Sequence, residues 1–144
     1  MAQTKNKQIQ QSAALPILIK QDQLHIVLIT SRKLGQWIIP KGHIEPGLTL
    51  AQSAKNEALE EAGIEGIMHN DPVGAFTYSK NQCDFNVLIF PMHVRSVLTK
   101  WDEMNVRRRK IVSVKEALEL IPHAEVIKSI KKILKNPSKY LEKL

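Results

Sequence analysis

The sequence predicts an α+β fold built on a mixed β-sheet, and three observations carry that prediction. Short apolar runs rich in β-branched residues precede and follow one long interior helical segment at 49–62. Two further helices close the chain, giving an order of roughly βββ–α–ββ(β)–α–α. The polar breaks between neighbouring runs are short enough for hairpins. Composition agrees, since 144 residues with 43% hydrophobic and 24% charged side chains suit one globular domain with its own core.

Residues 1–11 (MAQTKNKQIQQ) are polar and read as a flexible tail, which leaves 12–144 as a single domain. Residues 14–19 and 24–30 are apolar runs separated by KQDQ and read as two strands. Residues 36–40 form a third short extended piece, ended by Pro40. Residues 43–48 hold Pro46 and Gly47 and read as a loop. Thr49 opens the interior helix, with Gln52 completing a capping box, and Gly63 stops it. Residues 73–78 and 85–94 are two more strands, with a turn at 79–84. Val112 closes a last strand, and Ser113 with Glu116 caps a short helix that runs to Ile121 before Pro122. The final helix, 124–135, carries Val126, Ile127, Ile130, Ile133 and Leu134 on one side and lysines on the other.

Cys83 is the one cysteine, so no internal disulfide and no cysteine-based zinc finger forms. A reducing, cytoplasmic setting fits that usage. The polar start argues against a secretory signal, and no apolar run approaches a membrane span. The net charge of +7 is unevenly spread: residues 1–40 carry +4, residues 41–66 carry −3, and the rest carry +6. An acidic island in a basic chain suits a cation site that serves an anionic substrate, or else a solvated acidic helix.

The interior helix decides more. Ala51, Ala54, Ala58 and Ala62 form one narrow stripe that lets it sit close to a sheet. Glu57 and Glu61 lie one turn apart beside that stripe, and Glu60 lies further round. Carboxylates at this spacing repel, and near a helix C-terminus the macrodipole disfavours them as well. A hard divalent cation reverses both penalties, because magnesium and manganese prefer oxygen ligands. The alternative is a Glu61 paired with a lysine from the basic remainder.

The loop and helix together run from Trp37-Ile38-Ile39-Pro40-Lys41-Gly42 through Leu48 to Asn56-Glu57-Ala58-Leu59-Glu60-Glu61-Ala62-Gly63-Ile64. This stretch resembles the signature of the Nudix hydrolases. That signature is a glycine, five residues, a glutamate, seven residues, then Arg-Glu-aliphatic-x-Glu-Glu-x-Gly-aliphatic. Gly42, Glu57, Glu60, Glu61, Gly63 and Ile64 match in register. Leu48 replaces the first glutamate and Asn56 the arginine, so the ion pair that braces loop against helix in the family is missing on both sides. Ser31-Arg32, Gln36 to Pro40, Val73 to Phe76, and Trp101-Asp102-Glu103 followed by Asn105 and an arginine run resemble the branch acting on diphosphoinositol and diadenosine polyphosphates.

The resemblance covers residues 14–135 and implies an α/β/α sandwich around the mixed sheet. It implies Mg²⁺- or Mn²⁺-dependent hydrolysis of a nucleoside diphosphate linked to another moiety, with a dinucleoside polyphosphate or a diphosphoinositol-like compound as substrate. By match, Gly42 (through its carbonyl), Glu57, Glu60 and Glu61 would hold the metal. Glu57, Glu60 and Glu103 are the catalytic candidates, the last as a late-loop base. Arg32, Lys41, Arg108 and Lys110 are candidates for holding phosphates. Trp37 and Trp101 can stack on a ring, although Trp37 begins an apolar run that suits the core.

Two other functions stay open: a Nudix-fold nucleotide-binding or regulatory module weakened by Leu48 and Asn56, and a pyrophosphohydrolase of RNA 5′ ends. The second is motivated by Arg107-Arg108-Arg109-Lys110, yet if that run is a strand only alternate members share a face. No RNA-binding motif accompanies it, and aromatics are only 5% of residues. The five histidines show no metal spacing. Nothing in the sequence sets the oligomeric state.

Overall fold

The computed structural model describes residues 5–141. Strand β1 (Lys7–Lys20) turns back into β2 (Gln23–Thr30), followed by the short strands β3 (Trp37–Ile38) and β4 (Lys41–His43). Helix α1 (Leu50–Glu57) runs on into a π-helical turn (Ala58–Ala62) and then into β5 (Ile64–Met68). Strands β6 (Gly74–Lys80) and β7 (Cys83–Val97) form a second hairpin. Strand β8 (Arg109–Ser113), helix α2 (Val114–Leu120), helix α3 (Ala124–Lys135) and the single turn α4 (Pro137–Tyr140) complete the fold. Both hairpin turns place two consecutive non-glycine residues at positive φ, Gln21 and Asp22 at 52° and 62°, Asn81 and Gln82 at 53° and 61°. That geometry matches the twist of the flanking strands.

The sheet is mixed, as expected. Its path is β3-β2-β1-β7-β5, with β4 on β1, β6 on β7 and β8 on β2. β1 and β7 are parallel from Lys7↔Cys83 to Ile17↔His93, and the other pairs are antiparallel. Helices cover both faces. Leu15, Ile17, Leu28 and Ile89 pack with Ala117, Val126, Ile130 and Ile133 on one face. Ala14, Val27, Ile29, Phe90 and Met92 pack with Ala51, Ala54, Ala58 and Ala62 on the other. The alanine stripe therefore does bring α1 close to the sheet.

Residues 7–11, expected in a flexible tail, belong to β1 instead. The reason is polar. Their backbone pairs with β7, while Gln8 bonds Asp84 and Gln10 bonds the carbonyl of Asn86. Residues 1–4 of that tail lie outside the described residues. β5 has no counterpart in the sequence expectation, being short and broken by a bulge between Glu65 and Gly66. The Ser113 cap forms, but Glu116 turns to Lys110 at 2.8 Å instead of closing a capping box.

Candidate active site

Thr49 and Gln52 form the reciprocal capping box that starts α1. Gly63 ends the following π turn in the left-handed region, φ 63°. The three box glutamates thus sit at the C-terminal end of one continuous helical segment. A π turn bonds to the fifth residue back and is wider than an α turn, an irregularity that recurs at functional sites. Glu57 and Glu61, four residues apart, bring their carboxylates together on one side of it.

Each is held by the sheet. A Cβ on Gly42 would overlap the Glu57 carboxylate, so only glycine admits Glu57 at this position on β4. Glu61 is buried; one oxygen accepts from the Lys41 amide at 3.2 Å, and the other lies 3.3 Å from Arg107 Nη2. Burial, then the charge and hydrogen bond of Glu61, then Glu60 and Glu103, push the Glu57 carboxyl up to about 8. Burial raises Glu61 too, against the pull of Arg107. Glu60 is raised by burial and by Glu45, Asp102 and Glu103.

The loop after β7 closes over this helix end. Glu103 donates its amide to the Glu60 carbonyl at 3.1 Å. Arg107 donates Nε to Glu103 at 3.0 Å and Nη1 to the Thr30 carbonyl at 3.0 Å. Trp101 donates Nε1 to the Glu61 carbonyl at 3.0 Å, and the Arg109 guanidinium lies 4.1 Å over its ring while bonding the Ala62 carbonyl at 2.9 Å. Trp101 and Arg109 therefore cap orphan carbonyls of the helix end. Glu61 has found its cation, an arginine rather than a lysine.

Arg107 and Arg109 face the helix end, whereas Arg108 and Lys110 lie 6.0 Å from the Trp37 ring on the other side. The basic run is thus divided between two sides, with Arg109 and Lys110 inside β8 and Arg107 and Arg108 before it, and makes no single patch. Arg108 and Lys110 remain exposed, Lys110 is paired with Glu116, and Arg32 is exposed on the loop after β2. None of these three contacts the carboxylates. Lys41 does lie at the site: its amide holds Glu61, and its Nζ donates to Tyr78 Oη at 3.1 Å. Tyr78 in turn donates to Gln11 at 2.7 Å, stacks on Phe85 at 4.7 Å and lies 6.3 Å from Phe76. Trp37 is half-buried against the core.

The missing ion pair has a substitute. Asn56 Nδ2 donates to Glu45 Oε2 at 3.1 Å, and the Glu45 amide donates to Ser53 Oγ at 3.0 Å. The loop is therefore braced on the helix from a position three residues before Leu48. Arg107, Glu45 and Tyr78 are the site residues that sequence reasoning missed. For Arg107 no signal set it apart from the three basic residues that follow it.

Among the described residues, no three His, Cys, Asp or Glu side chains converge as a ready metal cage. The donor chemistry nevertheless fits a hard divalent cation. Glu57, Glu60, Glu61 and the Gly42 carbonyl are all oxygen, and a cation offsets the burial, and for Glu57 and Glu60 the neighbouring carboxylates, that raise these groups. No described helix is long and apolar enough to cross a membrane.

Comparison with known proteins agrees with this geometry. The NUDIX domain profile matches residues 10–136. "Nudix hydrolase 13, mitochondrial" of Arabidopsis thaliana is 31% identical over 110 residues, covering 69% of this chain and 54% of the relative. "Diphosphoinositol polyphosphate phosphohydrolase NUDT4B" of Homo sapiens is 27% identical over 127 residues, covering 83% and 69%. The chain spans 54% and 60% of the length of Arabidopsis Nudix hydrolases 13 and 12. A C. elegans Ap4A hydrolase in a binary complex superposes with TM-score 0.72 at 18% identity, over 92% of this chain and 99% of that one, which shows a shared fold. With the profile matched across most of its length, on that fold and around the signature glutamates, the chain belongs to the Nudix family.

Proposed function

We propose that the protein is a pyrophosphohydrolase that uses Mg²⁺ or Mn²⁺ to cleave a phosphoanhydride in a nucleoside diphosphate linked to another moiety, with a dinucleoside polyphosphate as substrate. The observation that carries this reading is the gathering of Glu57, Glu60, Glu61 and Glu103 at one helix end, with Glu57 pressed against Gly42 and Glu61 buried beside it; burial first, then the neighbouring carboxylates, pushes Glu57 up to about 8. Glu57, Glu60, Glu61 and the Gly42 carbonyl would hold the ion, which supplies charge neutralisation on phosphate oxygen and a more acidic water. Glu103 lies outside that set; Arg107 binds its Oε1 and leaves Oε2 for the proton of the attacking water. Lys41, whose amide holds Glu61 and whose Nζ bonds Tyr78 and no acidic side chain, is our candidate for the phosphates.

The rings of Tyr78, Phe76 and Phe85 beside Lys41 favour a base-bearing substrate. A diphosphoinositol would need many cations, and Arg107 and Arg109 are already committed to protein oxygens. The Asn56–Glu45 brace favours an active site over a weakened binding module. The division of the basic run between two faces disfavours an RNA end. The test is product release from dinucleoside polyphosphates, ADP-ribose, diphosphoinositols and triphosphorylated RNA, with and without Mg²⁺ and with Glu57→Gln as control. Metal-dependent turnover of the dinucleotides, absent in the variant, is expected; preferential turnover of diphosphoinositol would refute the substrate assignment.

A further inference from the structure

Ser12 lies in the middle of β1 with 0% of its surface exposed, and among the described residues its hydroxyl has no hydrogen-bond partner. A buried orphan hydroxyl costs free energy that an alanine there would not. The sheet ladder fixes what lies near it. Ser12 is paired directly with Gly42 across the antiparallel β1–β4 ladder and with Leu88 across the parallel ladder to β7. Directly opposed residues send their Cβ atoms to the same face, roughly 4.5–5.5 Å apart. The place of the absent Gly42 Cβ is filled by the Glu57 carboxylate. The Ser12 hydroxyl and that carboxylate therefore face the same space beneath α1, not bonded to each other but close enough for one bridging water. Ala14 and Leu88 offer the hydroxyl nothing, and the Gln10 amide nitrogen is committed to the carbonyls of Gln11 and Asn86.

We propose that Ser12 is a positioning residue, whose hydroxyl orients the Glu57 carboxylate for cation binding through one bridging water. This rests on Glu57 being a cation ligand, as proposed above. It differs from the box residues in that no signature marks it and its side chain touches neither substrate nor ion. Groups one shell out from a metal change affinity by about 10–100-fold.

The experiment is calorimetric titration of Mn²⁺ alone into the full chain, paired with the metal-free melting temperature. Ser12→Ala is expected to weaken Mn²⁺ binding about tenfold while leaving the metal-free melting temperature unchanged or higher, because an orphan has been removed. Ser12→Cys, which keeps the volume and only a weak donor, is expected to fall between, and it carries the comparison should Ser12→Ala not fold. In a Glu57→Gln background, Ser12→Ala is expected to add no further loss. Wild-type affinity in Ser12→Ala, or an equal loss with and without Glu57, would overturn the inference while leaving the metal site intact. No Mn²⁺ binding by the wild-type chain would overturn both.

Discussion

Arg107 binds the site together, with 9% of its side chain exposed and its guanidinium divided among Thr30, Glu103 and Glu61. Removing one partner of a buried pair leaves the other charge uncompensated, at a cost of about 3–5 kcal/mol. Arg107→Met should therefore lower the melting temperature markedly and reduce turnover, since Glu61 keeps only the Lys41 amide. Arg107→Lys should recover part of the loss, because it restores charge without the planar fork. Full recovery by lysine, read in thermal melts, would mean that the fork geometry is immaterial.

Asn56 gives a gentler test. Asn56→Leu should cost roughly 1–3 kcal/mol by breaking a hydrogen bond to a carboxylate, whereas Asn56→Arg can pair with Glu45 and should be neutral or stabilising by up to about 1 kcal/mol. A destabilised Asn56→Arg would show that Glu45 is not free to accept a cation. At this scale the three box glutamates were legible, because helical spacing fixes their relation to Gly63. Arg107 was not, because four adjacent basic residues look alike until the fold tells one side from the other. Glu45 was hidden because a loop carries no period to place its side chain.

The element that matters most is α1 with its π turn, and its ends were legible from Thr49, Gln52 and Gly63. The widening of its last turn was not, since no side chain announces which carbonyl an amide will choose. The first strand was under-read for a related reason: residues 7–11 gain their order from backbone pairing and glutamine bonds, which hydrophobic patterning does not register. The roles within the element can be separated by experiment. Glu57→Gln and Glu61→Gln should each lower turnover by at least about 100-fold, roughly 2.7 kcal/mol of transition-state stabilisation, and weaken Mn²⁺ binding. Glu103→Gln should lower turnover comparably with Mn²⁺ affinity nearly intact, because Glu103 is tied to Arg107 outside the ligand set. Equal loss of Mn²⁺ affinity in all three would make Glu103 a ligand and remove it as the base.

At the scale of the whole molecule, the mixed sheet with helices on both faces followed from element order and the alanine stripe. The parallel alignment of β1 with β7 did not, because strands more than sixty positions apart carry no local signal of direction. The pairing of β4 with that first strand is what places Gly42 against Glu57. The raised carboxylates couple the stability of the entire fold to pH and metal. The Glu57 carboxyl is raised to about 8 in the folded chain, by burial first and by Glu61, Glu60 and Glu103 after it. A group raised on folding stabilises fully below its unfolded value and loses that contribution as pH rises through the folded value. The metal-free melting temperature should therefore decline between about pH 5 and pH 8 on this account, and Glu61, raised in the same direction, adds to the slope. A divalent cation bound to the same oxygens displaces the proton and stabilises by mass action. The rise in melting temperature on adding millimolar Mg²⁺ should then be larger at pH 8 than at pH 6. The decisive comparison is the difference from Glu57→Gln, in which both the metal-free slope and the pH dependence of the Mg²⁺ increment should shrink. Parallel curves for wild type and variant, with and without Mg²⁺, would place the titrating group elsewhere and separate the crowded carboxylates from the metal.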